Sequence, residues 1–222
     1  MIGPTRGIVS SAELADVLDS AGLTPGRAVI LIGGADFTER ERITSLRGLF
    51  RHLAAHCERT GIAVVDGGTD SGVIRLIGEA RDAIDGTFPL IGVAPRGAFA
   101  RTTRTGAAIE VARGHSLVLL VPGSRFGDES TWLFGAADHI CGGPGRAPAI
   151  LVNGGRLAKA EGRKRLDDGA IVVAVEGSGR AADELAGDLA RDPGLRASGR
   201  LRSIPIGVDE AGLAAALEGV GT

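Results

Sequence analysis

The chain has 222 residues, 44% of them apolar, and a formal net charge of −2. That is long enough to bury a sizeable core and too apolar for a disordered chain. It also lacks the basic footprint that non-specific nucleic-acid binding requires.

In chain order, Ser10 and Glu13 have the spacing of a helix-start capping box, and Leu14, Val17 and Leu18 follow on one face up to Gly22. Arg27–Gly34 ("RAVILIGG") is a continuous apolar run, as expected of a strand buried on both faces. Thr38 and Glu41 read as a second capping box, with Ile43, Leu46, Phe50, Leu53 and Cys57 at helical spacing and Gly61 as the stop. "GIAVVDGG" is the next strand, followed by a helix with Val73, Ile77, Ala80 and Ile84 on one face. Pro89–Pro95, Ser116–Ser124, Ala147–Gly155 and Gly169–Gly179 are further buried-strand candidates. Helices are expected over Ser130–Cys141, Arg156–Leu166 and Arg180–Ala190, then an edge strand in "RSIPIGV" and a last helix in "DEAGLAAALEGV". Arg96–Gly114, rich in Arg, Thr and Gly, reads as a surface loop or lid.

Apolar strands alternating with helices predict an α/β fold: a mainly parallel sheet with helices on both faces. No linker, repeat or charge block interrupts the pattern, so one domain over residues 1–222 is expected. No run of about 18 apolar residues occurs and the N-terminal stretch lacks an h-region, so neither a membrane span nor a signal peptide is expected. Two cysteines, Cys57 and Cys141, fit reduced thiols and a cytoplasmic location better than a disulfide framework.

Parallel strands exit at one edge, and ligands of open α/β sheets bind in the crevice there. The exits read "GGADF", "DGGTDSG", "APRG", "PGSRFGDES", "NGG" and "EGSGRAAD". Each carries glycine, and helix starts that expose N–H groups favour phosphate. The glycine-bearing turns are expected to line the largest pocket. Other signatures are absent or incomplete. No Walker G-x-x-x-x-G-K-[ST] occurs. Gly177, Gly179 and Ala182 match G-x-G-x-x-A, but in the last buried strand–helix unit, so they read as a helix-start anion site and not as a dehydrogenase fingerprint. His52 with His56, and His139 with Cys141, lack the further ligands of a metal site.

The combination "DGGTDSGVIRLIGEA", "LIGVAP", "LLVPGSRFGDES", "LVNGG" and "VEGSGRAAD" resembles the SLOG superfamily, and within it the prokaryotic LSDAT family, related to the N-terminal region of TRPM channels. The resemblance spans about Arg27 to Leu189. It implies a Rossmann-like sheet that binds a nucleotide derivative such as ADP-ribose or NAD, as a sensor, in a homodimer or larger assembly, with an effector protein as a possible partner. On this reading Gly33, Gly34, Gly67, Gly68, Gly72, Gly177, Ser178, Gly179 and Arg180 cradle phosphates, and Thr69 and Ser71 donate hydroxyls. Asp128, Glu129 or Glu176 accept from ribose. Asp70, Pro95, Gly123, Ser124, Gly127, Asn153, Gly154 and Gly155 complete the expected lining. Trp132 is expected to pack in the core.

The alternative is a hydrolase like the LOG-type phosphoribohydrolases, which cleave an N-glycosidic bond. Their P-G-G-x-G-T-x-x-E pattern is only approached: Ser124 replaces the second glycine, Gly127 is one place late, and no Glu stands four residues after it. The R-K pair upstream is also missing from "ARTTRTGAAIE". Asp128 or Glu129 is the candidate catalytic carboxylate. Single-strand DNA binding is disfavoured by the charge balance and by six Phe, one Trp and no Tyr for stacking.

Overall fold

A computed structural model describes residues 3–34, 40–100 and 109–218. The described elements in order are β1 (Thr5–Gly7), α1 (Ser11–Ser20), β2 (Ala28–Gly33), α2 (Arg40–Thr60), β3 (Ala63–Asp66), α3 (Gly72–Ala83), β4 (Leu90–Pro95), a 3-10 turn (Arg96–Ala100), β5 (Leu117–Val121), α4 (Ser130–Ile140), β6 (Ala149–Val152), α5 (Arg156–Asp167), β7 (Val172–Glu176), α6 (Arg180–Arg191), α7 (Pro193–Ser198), β8 (Leu201–Pro205) and α8 (Glu210–Leu217). Thr38 of the candidate box with Glu41, and residues 101–108 of the candidate lid, fall outside what is described.

Among the described residues, eight strands form one sheet in the order β1-β5-β4-β3-β2-β6-β7-β8, and every strand pairing in it is parallel. The chain runs outward from β2 through β3, β4 and β5. It then crosses back to lay β6 on the other side of β2 before adding β7 and β8. The strand order therefore reverses at β2 and β6, which is where this class of sheet opens a crevice.

The alternation along β2 shows why its apolar run is unbroken. Ile30 and Ile32 enter one core with Leu133, Phe134, Ala158 and Leu185, while Val29 and Leu31 enter the other with Leu46, Phe50, Ile77 and Leu213. Helices α1, α4, α5 and α6 cover the first face, and α2, α3 and α8 the second. Trp132 is partly buried against the first core. Ile84, expected on the buried face of α3, is the helix C-cap and 39% exposed. Cys57 and Cys141 are free thiols packed with opposite cores.

The helix signals operate with small changes of partner. Ser10 accepts the Glu13 N–H at 3.2 Å, but the Glu13 carboxylate reaches the Val9 N–H instead of that of Ser10. Gly61 follows α2 at φ +68°, the left-handed stop. Three elements were not expected from the sequence. β1 has no apolar run because all three of its residues are exposed at the sheet edge. The Arg96–Ala100 turn lies inside the stretch read as a loop. α7 is one short helix, started by Asp192 with Pro193 and ended by Gly199 at φ +65°.

Candidate functional site

As far as they are described, the glycine-bearing exits named above lie at the C-terminal edge of the sheet, but they divide among several hollows. Gly33, Gly34, Gly67, Thr69, Ser71 and Glu129 line a cavity of about 200 Å³ together with Val73, Phe126, Leu133, Leu157 and Glu161. It opens where the strand order reverses, between the ends of β2 and β3 and the starts of α3, α4 and α5. Gly154, Gly155 and Arg180 line a cleft of about 280 Å³ beside it, with Arg156 and Lys159. The two hollows share a thin wall: a Cβ on Gly34 would lie 2.9 Å from Gly154 Cα. Glu176 and Gly177 belong to a third, open depression further along the edge.

Among the described residues these glycine turns do not line the largest hollow: a depression of about 740 Å³, lined by α4, the 142–145 loop and α5 around Arg165 and Asp138, exceeds theirs.

The β3–α3 loop is fixed from within. Asp66 is fully buried, accepts the Gly68 N–H at 2.9 Å, and pairs with the buried His115 at 2.9 Å. Burial opposes a charge on His115, but the Asp66 carboxylate and the Arg113 carbonyl hold the imidazole above its ordinary pKa. Gly68 has φ +64°, and a Cβ there would meet the Gly92 backbone at 3.2 Å. Gly72 has φ +50°. Backbone conformation at both, and packing on β4 at Gly68, favour glycine here whether or not a ligand lies above. Asp70 turns outward to Arg75 at 2.9 Å. Thr69 and Ser71 place their hydroxyls 3.3 Å apart at the cavity.

The two carboxylates after β5 have separate environments. Asp128 accepts the N–H groups of Ser124 (2.8 Å) and Arg125 (3.0 Å), which hold its carboxyl below the usual range. It clasps its own loop, with Gly123 at φ +140° folded against it beside Pro95. Glu129 is buried, accepts the Gly127 N–H at 2.7 Å, and faces the cavity; burial raises its pKa.

Sequence reasoning missed a further carboxyl in this cavity. Glu161 on α5 takes a hydrogen bond from Ser130 Oγ at 2.5 Å. Burial pushes its pKa up to about 7, and the charge of Glu129 adds to the effect. A signal was present: Ala158, Gly162 and Arg165 are buried on α5, and Glu161 falls within that stripe at helical spacing.

Around β6 and β7 the fixing is again internal. Ser178 accepts the Asn153 N–H at 2.8 Å and donates to the Val175 carbonyl at 2.6 Å. Asn153 itself sits at φ +54°. The Asp183 carboxylate takes the Gly177 N–H at 2.7 Å, so an anion at that amide would have to displace it. Gly179, at φ +106°, precedes Arg180, which sits at φ +49°.

Helix capping separates the centre of this edge from its periphery. At the periphery α1 and α8 are capped by the side chains of Ser10 and Asp209. The starts of α3, α5 and α6 have no side-chain cap. At α6 the Ala181 and Ala182 N–H groups donate instead to the carbonyls of Gly154 and Asn153, so an outside acceptor finds exposed helix-start amides at α3 and α5.

Comparison with known proteins agrees with this architecture. The structural-genomics target TM1055 superposes with a TM-score of 0.60 at 17% identity, covering 86% of this chain and 98% of that one. A molybdenum cofactor binding protein from the phototrophic bacterium Rippkaea orientalis gives 0.56 at 12% identity, over 85% and 93%. The molybdenum cofactor carrier protein of Chlamydomonas reinhardtii gives 0.55 at 17% identity, over 87% and 97%. At these identities the likeness is one of fold. No curated protein sequence matches the chain. A family model described as SLOG in TRPM, prokaryote, matches residues 27–215, and the chain belongs to this prokaryotic LSDAT family.

Proposed function

We propose that the chain binds a nucleotide-derived ligand of the ADP-ribose or NAD type at the C-terminal edge of its sheet and acts as a sensor of it. One observation carries this reading. A cavity with two carboxyls and two hydroxyls adjoins, across the Gly34–Gly154 contact, a cleft that carries Arg156, Lys159 and Arg180 at the uncapped start of α5. The first suits a nucleoside, whose hydroxyls Glu129, Thr69 and Ser71 would bind. The second suits phosphates, held by the Gly154–Gly155 backbone and by Arg180 and Arg156. Family membership supports a nucleotide, and the two molybdenum cofactor proteins are precedents for holding a small molecule on this fold. Self-association is part of the proposal, resting on the family resemblance; light scattering showing a monomer at high micromolar concentration would count against it.

Thermal unfolding tests the binding. A ligand that binds only the folded state stabilises it by about 2.7 kcal/mol at 100 times its dissociation constant. ADP-ribose should raise the melting temperature by several degrees, and adenosine by much less. An equal effect of the two would sink the phosphate half of the reading.

Glu129 favours a second reading, N-glycosidic cleavage, because a buried carboxyl with a raised pKa suits acid–base work. Chromatography after incubation with nucleoside monophosphates, NAD and ADP-ribose would reveal free base. Turnover abolished by Glu129→Gln would establish the hydrolase.

A further inference from the structure

Among the described residues four large apolar side chains are exposed, and two of them, Phe126 (49%) and Leu157 (42%), line the same cavity. They approach from different elements. Phe126 stands in the loop between β5 and α4, and Leu157 in the first turn of α5. Leu157 Cδ1 lies 3.1 Å from where a Cβ on Gly127 would sit, so the leucine abuts the backbone next to Phe126. That backbone is held on both sides. Asp128 clasps Ser124 and Arg125 ahead of Phe126, and Glu129 takes the Gly127 N–H behind it. A loop pinned by two carboxylates that leaves its one aromatic half in water spends apolar surface without burying it in the fold. Beyond the lip the wall mixes apolar side chains such as Val73, Leu133 and Phe134 with the hydroxyls of Thr69 and Ser71 and the carboxyls of Glu129 and Glu161, so a wholly aliphatic chain entering there would bury both carboxyls against hydrocarbon. A flat ring with polar edges meets both demands: its face covers Phe126 and Leu157 while its edge reaches the polar groups inside.

We propose that Phe126 and Leu157 form a clamp for the planar aromatic base of the ligand; this rests on the nucleotide reading above. Base recognition then comes from the lip of the cavity, and phosphate recognition from the α5–α6 cleft.

Calorimetry on the full chain with ADP-ribose and with ribose 5-phosphate tests it. Phe126→Ala should weaken ADP-ribose by about tenfold or more, the loss typical of a stacked base, and leave ribose 5-phosphate unchanged. Phe126→Trp should restore the affinity, with the new indole quenched on binding. Because the side chain is half exposed, the variants are expected to fold, which circular dichroism confirms. ADP-ribose affinity unchanged in Phe126→Ala overturns the clamp while leaving the nucleotide reading standing. So does an unchanged affinity accompanied by a shift from dimer to monomer, which would make the lip an interface between copies. Equal losses for both ligands also overturn it. If the unsubstituted chain binds neither, the nucleotide reading fails and the clamp with it.

Discussion

His115 Nε2 lies 2.9 Å from Asp66 Oδ1 and 3.0 Å from Oδ2, and neither side chain is exposed. The same Asp66 Oδ1 accepts the Gly68 N–H, so the pair sets the first turn of the β3–α3 loop. His115→Phe would leave a buried carboxylate with one backbone donor, and removing one partner of a buried pair costs about 3–5 kcal/mol. Chemical denaturation should show that loss near pH 6. The pKa of His115 is raised by folding, so the pair's contribution is fully present below the ordinary histidine value and lost as pH rises through the raised one. The gap between the two proteins should narrow in alkaline solution. Equal stability at pH 6 would show that the pair does not support the loop.

Glu161 gives a pH dependence of the same sign for a different reason. Its carboxyl is raised from 4.5 to about 7 by burial, so the folded state keeps a proton that the unfolded state releases. Stability is fully present below pH 4.5 and falls as pH rises towards 7. At about 1.4 kcal/mol for each unit between the two values, the whole effect is on the order of 3 kcal/mol. Glu161→Gln should flatten this slope and make the variant the more stable protein above pH 7. Parallel stability curves from pH 4 to 8 would refute it.

Asp128 and Glu129 are adjacent in sequence but differ in what they face, and substitution should separate them. Asp128→Asn keeps an oxygen able to accept from Ser124 and Arg125, so ADP-ribose affinity should change little. Glu129→Gln alters a group on the cavity wall and should cost about tenfold, as expected when a charged acceptor of ligand hydroxyls is lost. Calorimetric titration of both variants checks this; a larger loss in Asp128→Asn would reverse the assignment.

The sheet was legible because each central strand is buried on both faces and so reads as an unbroken apolar run between glycines. β1 was not, since an edge strand with three exposed residues carries no such signal. At the candidate site, strand exits identify the edge but not its partition. Gly67 and Gly177 lie in similar motifs, yet β2 and β6 stand between their strands, a separation of three strand spacings or about 14 Å. Glycine was also ambiguous in cause. Gly67 lines the cavity, whereas Gly68 is needed by its own dihedral angle and by Gly92. Glu161 was easy to pass over because a glutamate in a polar helix usually faces water, although its spacing puts it in line with Ala158, Gly162 and Arg165.

Arg180 ties backbone strain to the phosphate cleft. It opens α6 at φ +49°, a left-handed conformation that costs a non-glycine residue on the order of 1–3 kcal/mol. Glycine would adopt it freely, and glycines do occupy the neighbouring left-handed positions Gly177 and Gly179. A side chain kept at a strained position, with its guanidinium 3.1 Å from where a Cβ on Gly155 would sit, is explained if that guanidinium is what the site requires. Arg180→Gly should therefore match or exceed the parent protein in melting temperature without ligand, yet lose most of the rise produced by ADP-ribose. Arg180→Ala should lose the same rise while keeping the strain, and so melt below Arg180→Gly in the absence of ligand. Full ligand-induced stabilisation in both variants would remove Arg180 from the site and leave its strained backbone without a function.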